Sequence, residues 1–407
     1  MKFIHLADAH LDSPFRGLSF LPYKTYEEIK SAAEKSFQRI CDLALAQEVD
    51  LVLIAGDTFD SNKPSPKSQL FFAEQVKRLT DAEIEVVMIF GNHDYMDLNS
   101  LFVNASPYFH LLGNGQKVKK ISLKTKQGFE YNVVGFSYQN NHITENMVSK
   151  FPVKDSNYTI GLMHAGVKTT EAYQNVYAPF EVAELRNLDY DYFALGHIHA
   201  RQVLSQKPLI VYPGNIQGRH INELSEKGCY LAIVDEERKE TKISFEKTAP
   251  ILWKKLELTL TEQLSKAELQ NWLIGELNKA NKELTFFYVV INKAQFLSEA
   301  QIELITDSDF WNNLSQNLAF SSQVIDLRLK SNLQIKLGSK EQKAFSEAKL
   351  ESTNKEAFLK LAQDLIKKDQ YLAKLCQRED FQQETVERAL VILAQSMKGI
   401  DDETNED

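Results

Sequence analysis

Cysteine is scarce and scattered. Cys41, Cys229 and Cys376 are the only three in 407 residues, and no two form a CxxC pair. An odd number at such distances argues against a disulfide framework and fits a reducing cytoplasm. No apolar run approaches the ~20 residues needed to cross a bilayer. The opening Met1-Lys-Phe-Ile-His-Leu-Ala-Asp8 puts an acid where a signal peptide still needs apolar residues. A cytoplasmic protein with no membrane contact is therefore expected. Internal repeats and low-complexity tracts are also lacking. So is a surplus of basic residues: the net charge is −9, whereas phosphate-binding surfaces normally carry excess Lys and Arg. Residues 251–407 hold 20 Lys and Arg against 25 Asp and Glu, and residues 1–250 hold 27 against 31. Two divalent cations would cancel that second deficit, so the charge neither supports nor excludes nucleic acid.

What is present is the composition of a soluble globular protein, 43% hydrophobic and 25% charged. At this length two or three domains are expected. Residues 2–7 are a short apolar run leading into Asp8. An apolar stripe through Ile29, Ala33, Phe37 and Ile40 predicts a helix over 25–48. Leu51–Ala55 and Val86–Phe90 read as buried strands ended by Gly56 and Gly91, with a helix over 66–80 between them. This β-α-β-α-β opening, followed by strand-rich segments at 119–136, 158–163, 191–195, 209–212 and 229–234, predicts an α/β sandwich over residues 1–250. Strands at Leu252–Leu260, Thr285–Ile291 and Gln323–Leu329, with a helix over 261–281, predict a small α+β domain over 251–335. Helical periodicity then fills 340–350, 354–377 and 381–397, giving a helical segment over 336–400 before an acidic tail at 401–407.

Five short segments carry chemistry, and each falls where a predicted strand ends: Asp8-Ala9-His10, Gly56-Asp57-Thr58-Phe59-Asp60, Gly91-Asn92-His93-Asp94, His164-Ala165-Gly166 and Gly196-His197-Ile198-His199. The carboxyl ends of parallel strands share one edge of a sheet, so groups far apart in sequence converge there. Two metals about 3.5–4 Å apart require a bridging carboxylate, imidazole and oxygen ligands, and open positions. Asp8 and His10, two residues apart, point to the same side, and His197 and His199 repeat the device. Asp57 is the natural bridge, Asn92 offers an amide oxygen, and His164 another imidazole. Such a mixed set favours manganese, iron or zinc over magnesium. An isolated DxH or GNxD is ordinary turn chemistry, and His164 alone would read as a core histidine. The five together, in this order, do not. His5, His110, His142 and His220 lie outside the set and are read as structural or surface residues.

The series DxH, GDxxD, GNHD, H and GHxH resembles the signature of the calcineurin-like metallophosphoesterases, a two-sheet α/β sandwich. By matching position the resemblance implies one metal on Asp8, His10, Asp57 and His199, and a second on Asp57, Asn92, His164 and His197. His93 matches the histidine that stabilises or protonates the leaving group, and Asp94 the acid that orients it. Within the superfamily, Phe3–Asp12 and Gly56–Asp60, with Tyr212-Pro-Gly-Asn215, resemble the SbcD-like DNA-repair exonucleases, especially the YhaO-type bacterial proteins. The match covers residues 1–220; for 251–330 it rests on pattern alone. It implies a manganese-dependent nuclease acting on DNA, with a capping domain over 251–335 and C-terminal helices that dock an SMC-like ABC ATPase. Those helices could instead fold back on the cap or form a homodimer. A small-substrate phosphodiesterase or phosphatase, or a non-catalytic DNA-binding scaffold, are the rival readings. Two positions depart from many relatives: Asp12 stands where Gly is common, and Asp60 where some carry a second active-site histidine. Arg16, Arg201, Arg219 and the Ser61–Lys67 loop are candidates for phosphate contacts, against a solvated reading for each lysine.

Overall fold

The structure is a computed structural model that describes residues 1–330 except 16, 17, 19 and 171–175, then residues 343, 347, 351, 354–379, 381–383 and 385–390. The chain forms two compact units, Met1–Trp253 and Lys254–Asp407. The first runs β1 (Lys2–Leu6), α1 (Tyr23–Lys30), α2 (Ala32–Ala46), β2 (Leu51–Ala55), α3 (Pro66–Asp81), β3 (Glu85–Ile89), β4 (Phe109–Leu111), β5 (Lys119–Lys124), β6 (Glu130–Gly135), β7 (Tyr158–His164), α4 (Val182–Asn187), β8 (Tyr192–Gly196), β9 (Gln202–Gln206), β10 (Leu209–Tyr212), β11 (Gly228–Asp235) and β12 (Glu240–Lys247).

These strands make two six-stranded sheets, ordered β12-β11-β1-β2-β3-β4 and β5-β6-β7-β8-β10-β9. Strands β1 to β4 are parallel, as are β6, β7, β8 and β10, while β11, β12, β5 and β9 join antiparallel at the sides. Alternation explains the layers. Phe3, Leu51, Leu53, Val87 and Ile89 face Tyr131, Val133, Ile160, Leu162, Ala194 and Val211 across the middle of the sandwich. Ile4, Val52, Ile54, Val86 and Met88 face Phe37, Ile40, Phe72 and Val76 of α2 and α3. Strands buried on both sides read as continuous apolar runs, which is why β1, β2, β3, β7 and β8 were predictable. The helix expected over 25–48 is instead two. They meet at Ser31, whose hydroxyl donates back to the Glu27 and Glu28 carbonyls at 3.1 and 3.0 Å, a competition that loosens the helical ladder. Helix α3 starts on a capping Ser65 followed by Pro66.

His5 is fully buried between the sheets, with Nδ1 3.0 Å from the Tyr192 hydroxyl and Nε2 3.1 Å from the Leu195 carbonyl. Burial depresses its pKa to about 3 against the partial support of that carbonyl. The unfolded chain therefore takes up this proton first as pH falls below ~6.5, and stability is lost from there down towards pH 3. The stability advantage of the native chain over His5→Gln, measured by urea unfolding in EDTA, should shrink by about 2 kcal/mol between pH 7 and 5. A constant difference would place the titration elsewhere.

The second unit contains β13 (Leu252–Thr259), which begins at the junction, α5 (Lys266–Ala280), β14 (Thr285–Asn292), α6 (Glu299–Ile305), α7 (Ser308–Gln316) and β15 (Gln323–Lys330). Its sheet is ordered β13-β14-β15, with β14 and β15 parallel. Leu269, Leu273 and Leu277 of α5 pack on Phe287, Val289, Ile291, Leu327 and Leu329. The helix expected over 354–377 is three short pieces, α8 (Lys355–Leu361), α9 (Gln363–Lys368) and α10 (Gln370–Cys376). Most of the predicted helix at 340–350, the end of that at 381–397, and the acidic tail lie outside the described residues. Among the described residues no helix is long and apolar enough to cross a membrane.

Candidate metal centre

The five motifs sit at or just beyond the carboxyl ends of β1, β2, β3, β7 and β8, so both sheets contribute to one rim. The backbone there is held in the left-handed region at Asp8 (φ 52°), His10 (φ 43°), Asp57 (φ 51°) and His197 (φ 102°). Left-handed φ at residues other than glycine costs of order 1–3 kcal/mol each and persists where the surroundings over-determine it. The glycines are there for closeness. A Cβ on Gly91 would lie 2.2 Å from Asp57 Oδ1, and one on Gly196 would lie 2.0 Å from the Ala55 carbonyl oxygen.

Donor atoms of Asp8, His10 and His199 all fall within 4.8 Å of one another, and so do those of Asp8, Asp57 and His164. In the first cluster His199 Nδ1 is 2.6 Å from Glu223 Oε1, and His10 Nδ1 is 3.1 Å from Asp60 Oδ1, short in distance though outside hydrogen-bond angles. A carboxylate only accepts, so His199 Nδ1 carries the proton and turns its bare Nε2 towards that of His10. These two Nε2 atoms face each other at 3.0 Å. Asp8 Oδ1 lies 4.0 Å from the His199 nitrogen and Asp57 Oδ2 lies 3.9 Å from that of His10. Two imidazole nitrogens this close, beside two carboxylates, suit a cation held among them. Burial, with the nearby Arg219 charge assisting and Asp60 opposing, holds His10 below its ordinary pKa, which keeps it in the ligand form.

The second cluster follows the same rule. His164 Nδ1 donates to the Ala55 carbonyl at 2.9 Å, turning Nε2 towards Asn92 Oδ1 at 2.9 Å and Asp57 Oδ2 at 3.3 Å. His197 Nδ1 lies 3.2 Å from the same Asn92 oxygen, and burial, then the neighbouring His164, pushes its pKa down to about 3. Burial opposes a charge on His164 too, yet the Asp57 carboxylate lifts it to about 9. Asp57 Oδ1 accepts the His93 backbone N–H at 2.9 Å, which leaves Oδ2 facing both clusters, as a bridge must. All seven expected ligands are thus brought together, and their chemistry fits divalent ions.

Other positions differ from expectation. The carboxylate expected to orient His93 is committed elsewhere: Asp94, fully buried, accepts the Gly91 and Thr58 backbone N–H groups, both at 2.7 Å, and so ties the β2 and β3 loops together. Burial and the Asp57 charge push its carboxyl up to about 7. His93 Nδ1 donates instead to the Asp60 main-chain carbonyl at 3.1 Å, with the ring exposed. Asp12 has φ 71°, a conformation glycine adopts freely and aspartate tolerates; its carboxylate accepts the Ser65 N–H at 2.9 Å. Arg219 is engaged by Asp60 and Arg201 stacks 3.7 Å over the Phe245 ring, while Arg16 lies outside the described residues. Glu223 and Tyr177 escaped the sequence reading. Glu223 backs His199, and the Tyr177 ring lies 4.4 Å from that of His197. No motif spacing marks either one.

The family described as calcineurin-like phosphoesterase matches residues 1–201. A Bacillus subtilis (strain 168) protein, named as the uncharacterized metallophosphoesterase YhaO, is 35% identical over 285 residues, 70% of this chain and 69% of its own length. The DNA double-strand break repair protein Mre11 of Sulfurisphaera tokodaii is 27% identical over 208 residues, 50% of each chain. The Mre11 of Methanocaldococcus jannaschii is 27% identical over 249 residues, 57% of this chain and 62% of the other. This chain therefore spans half the length of the first of those repair proteins and under two thirds of the second. With its motifs on one rim and this identity to a metallophosphoesterase over two thirds of both chains, the protein belongs to the calcineurin-like metallophosphoesterase family.

Proposed function

We propose that the chain hydrolyses DNA phosphodiester bonds using two divalent ions, manganese in the first instance, as a nuclease of DNA repair. Asp8, His10, Asp57 and His199 would hold one ion, and Asp57, Asn92, His164 and His197 the other. The observation that carries the reading is the convergence of two imidazole nitrogens, His10 Nε2 and His199 Nε2, at 3.0 Å beside Asp8 and Asp57. DNA as substrate is supported by the names of the archaeal relatives and by the SbcD-like form of the first two motifs. Bound there, the ions would supply Lewis acidity to the phosphate and a water acidified towards neutrality. The protein's own share is positioning and proton handling. Asp57, fixed by the His93 amide, holds the two halves of the site together. His93, with Nδ1 on the Asp60 carbonyl, keeps Nε2 for the leaving oxygen and, as an imidazolium, gives it a proton.

The test is end-labelled linear DNA incubated with the purified chain and Mn²⁺, beside Mg²⁺ and EDTA. Manganese-dependent degradation is expected, and the label reports the polarity. Intact DNA with brisk hydrolysis of a small bis-ester would move the substrate to a small molecule.

The second unit would cap the site, and the C-terminal helices would dock an SMC-like ATPase. Leu361 and Leu365 of α8 and α9, 84% and 52% exposed, suit a partner-facing surface. Truncation after Leu337 should leave hydrolysis of simple esters unchanged and abolish ATPase binding in a pull-down. Retained binding would remove the helices from that role.

A further inference from the structure

Two carboxylates outside the seven proposed ligands stand behind the Asp8–His10–His199 cluster. Glu223, 6% exposed on its side chain, backs His199 through Oε1. Its Oε2 accepts the Asn215 side-chain amide and the Arg219 backbone N–H, both at 2.8 Å. Asp60 Oδ1 lies behind His10. One guanidinium joins them: Arg219 Nη1 donates to Asp60 Oδ1, and Arg219 Nε lies 3.8 Å from Glu223 Oε1. The Arg219 and Asp60 side chains are only 19% and 22% exposed, where attraction between charges is screened less than at an open surface.

Resting on the metal assignment proposed for this site, we infer that Asp60, Arg219 and Glu223 form a clamp that positions the ligands of one ion and not the other. Glu223 fixes the Nδ1–H tautomer of His199, which aims its Nε2 lone pair at the ion and raises its basicity, while Asp60, 3.1 Å behind His10 Nδ1, orients that ring by its charge. Arg219 sets the distance between the carboxylates, so it sets how the His10 and His199 rings converge. The second cluster leans on different supports, the Ala55 carbonyl behind His164 and the Tyr177 ring against His197. Asp60 therefore serves as an outer support where a histidine stands in some related sequences. Arg219, hydrogen-bonded to Asp60 and 3.8 Å from Glu223, spends its charge on these two acids before any substrate phosphate. These are positioning residues; none needs to touch substrate.

Mn²⁺ binding by the full chain, followed through the EPR signal of the free ion and by calorimetry, reads the clamp without any substrate. Arg219→Gln and the near-isosteric Asp60→Asn should each weaken one ion by roughly 10–100-fold and leave the other unchanged. Arg219→Lys should not restore it, because one ammonium cannot span two carboxylates as a planar fork does. The double variant should cost less than the two single losses added, since the residues act as one unit. Melting in EDTA accompanies each variant, and Asp60→Asn decides the matter if Arg219→Gln does not fold. Native affinity for both ions in Asp60→Asn, or equal loss of both, overturns the clamp. A native chain that takes up no ion overturns the metal reading as well, and is recognised before any variant is made.

Discussion

Asp57→Asn is expected to remove both divalent ions together, and with them hydrolysis. The side chain is 2% exposed and its two oxygens already have separate duties. Oδ1 takes the His93 N–H at 2.9 Å, and Oδ2 lies 3.3 Å from His164 Nε2 and 3.9 Å from His10 Nε2. An amide has one oxygen to place. Facing His93, it turns its NH₂ towards the ions; facing the ions, it sets NH₂ against the His93 N–H. Rotation about the side chain offers no third choice, because Gly91 packs so closely that even a methyl group there would meet the carboxylate. The negative charge shared by both ions is lost in either pose. Mn²⁺ uptake should fall at both sites by more than the roughly 10–100-fold that an outer-shell partner is worth. Hydrolysis should fall by at least the 10²–10³-fold, roughly, attached to one electrostatic donor. Retention of a single ion at native affinity would mean that Asp57 serves one ion only.

Much of this site was legible because its residues obey short-range rules. Asp8 and His10, or His197 and His199, lie two apart at strand ends, and β1, β2, β3, β7 and β8 announce themselves by apolar runs buried on both faces. The edge strands did not. β12 leaves alternate residues to solvent, β9 exposes three of its five, and β4 is three half-buried residues long, so β4, β9 and β12 carry no continuous apolar signal. Short helices such as α4 and α6, six and seven residues long, were missed for want of two full periods. At the site, Glu223 finds His199 across 24 residues that include β9 and β10, and Arg219 finds Asp60 across 159, distances at which spacing says nothing. Asp94 is a different case: the resemblance implied that it orients His93, whereas its two oxygens accept main-chain N–H groups. Nor does any residue type announce the left-handed backbone of Asp8, His10, Asp57 and His197, which is imposed by the converging loops.

His93→Ala separates proton handling from ion binding. The imidazole is exposed at the mouth of the site, T-shaped against His10 with centroids 5.0 Å apart. The His93 backbone N–H, which holds Asp57 Oδ1, is a group that alanine keeps. Mn²⁺ affinity should therefore stay native while kcat on DNA falls by roughly 10²–10⁴-fold, the usual worth of a positioned general acid, or about 3–5 kcal/mol. The loss should depend on the leaving group. A deoxyribose alkoxide must acquire a proton as the P–O bond breaks, whereas a nitrophenolate departs without one. The variant should hydrolyse a nitrophenyl ester at close to the native rate and fail on DNA. An equal loss on both substrates would assign His93 to phosphate binding, and an unchanged rate on DNA would remove it from the reaction. Asp94→Asn has a different signature. Its carboxylate holds Gly91 and Thr58, on the loops that carry Asn92 and Asp57, so both substrates should suffer alike, through weakened ions and not through a missing proton.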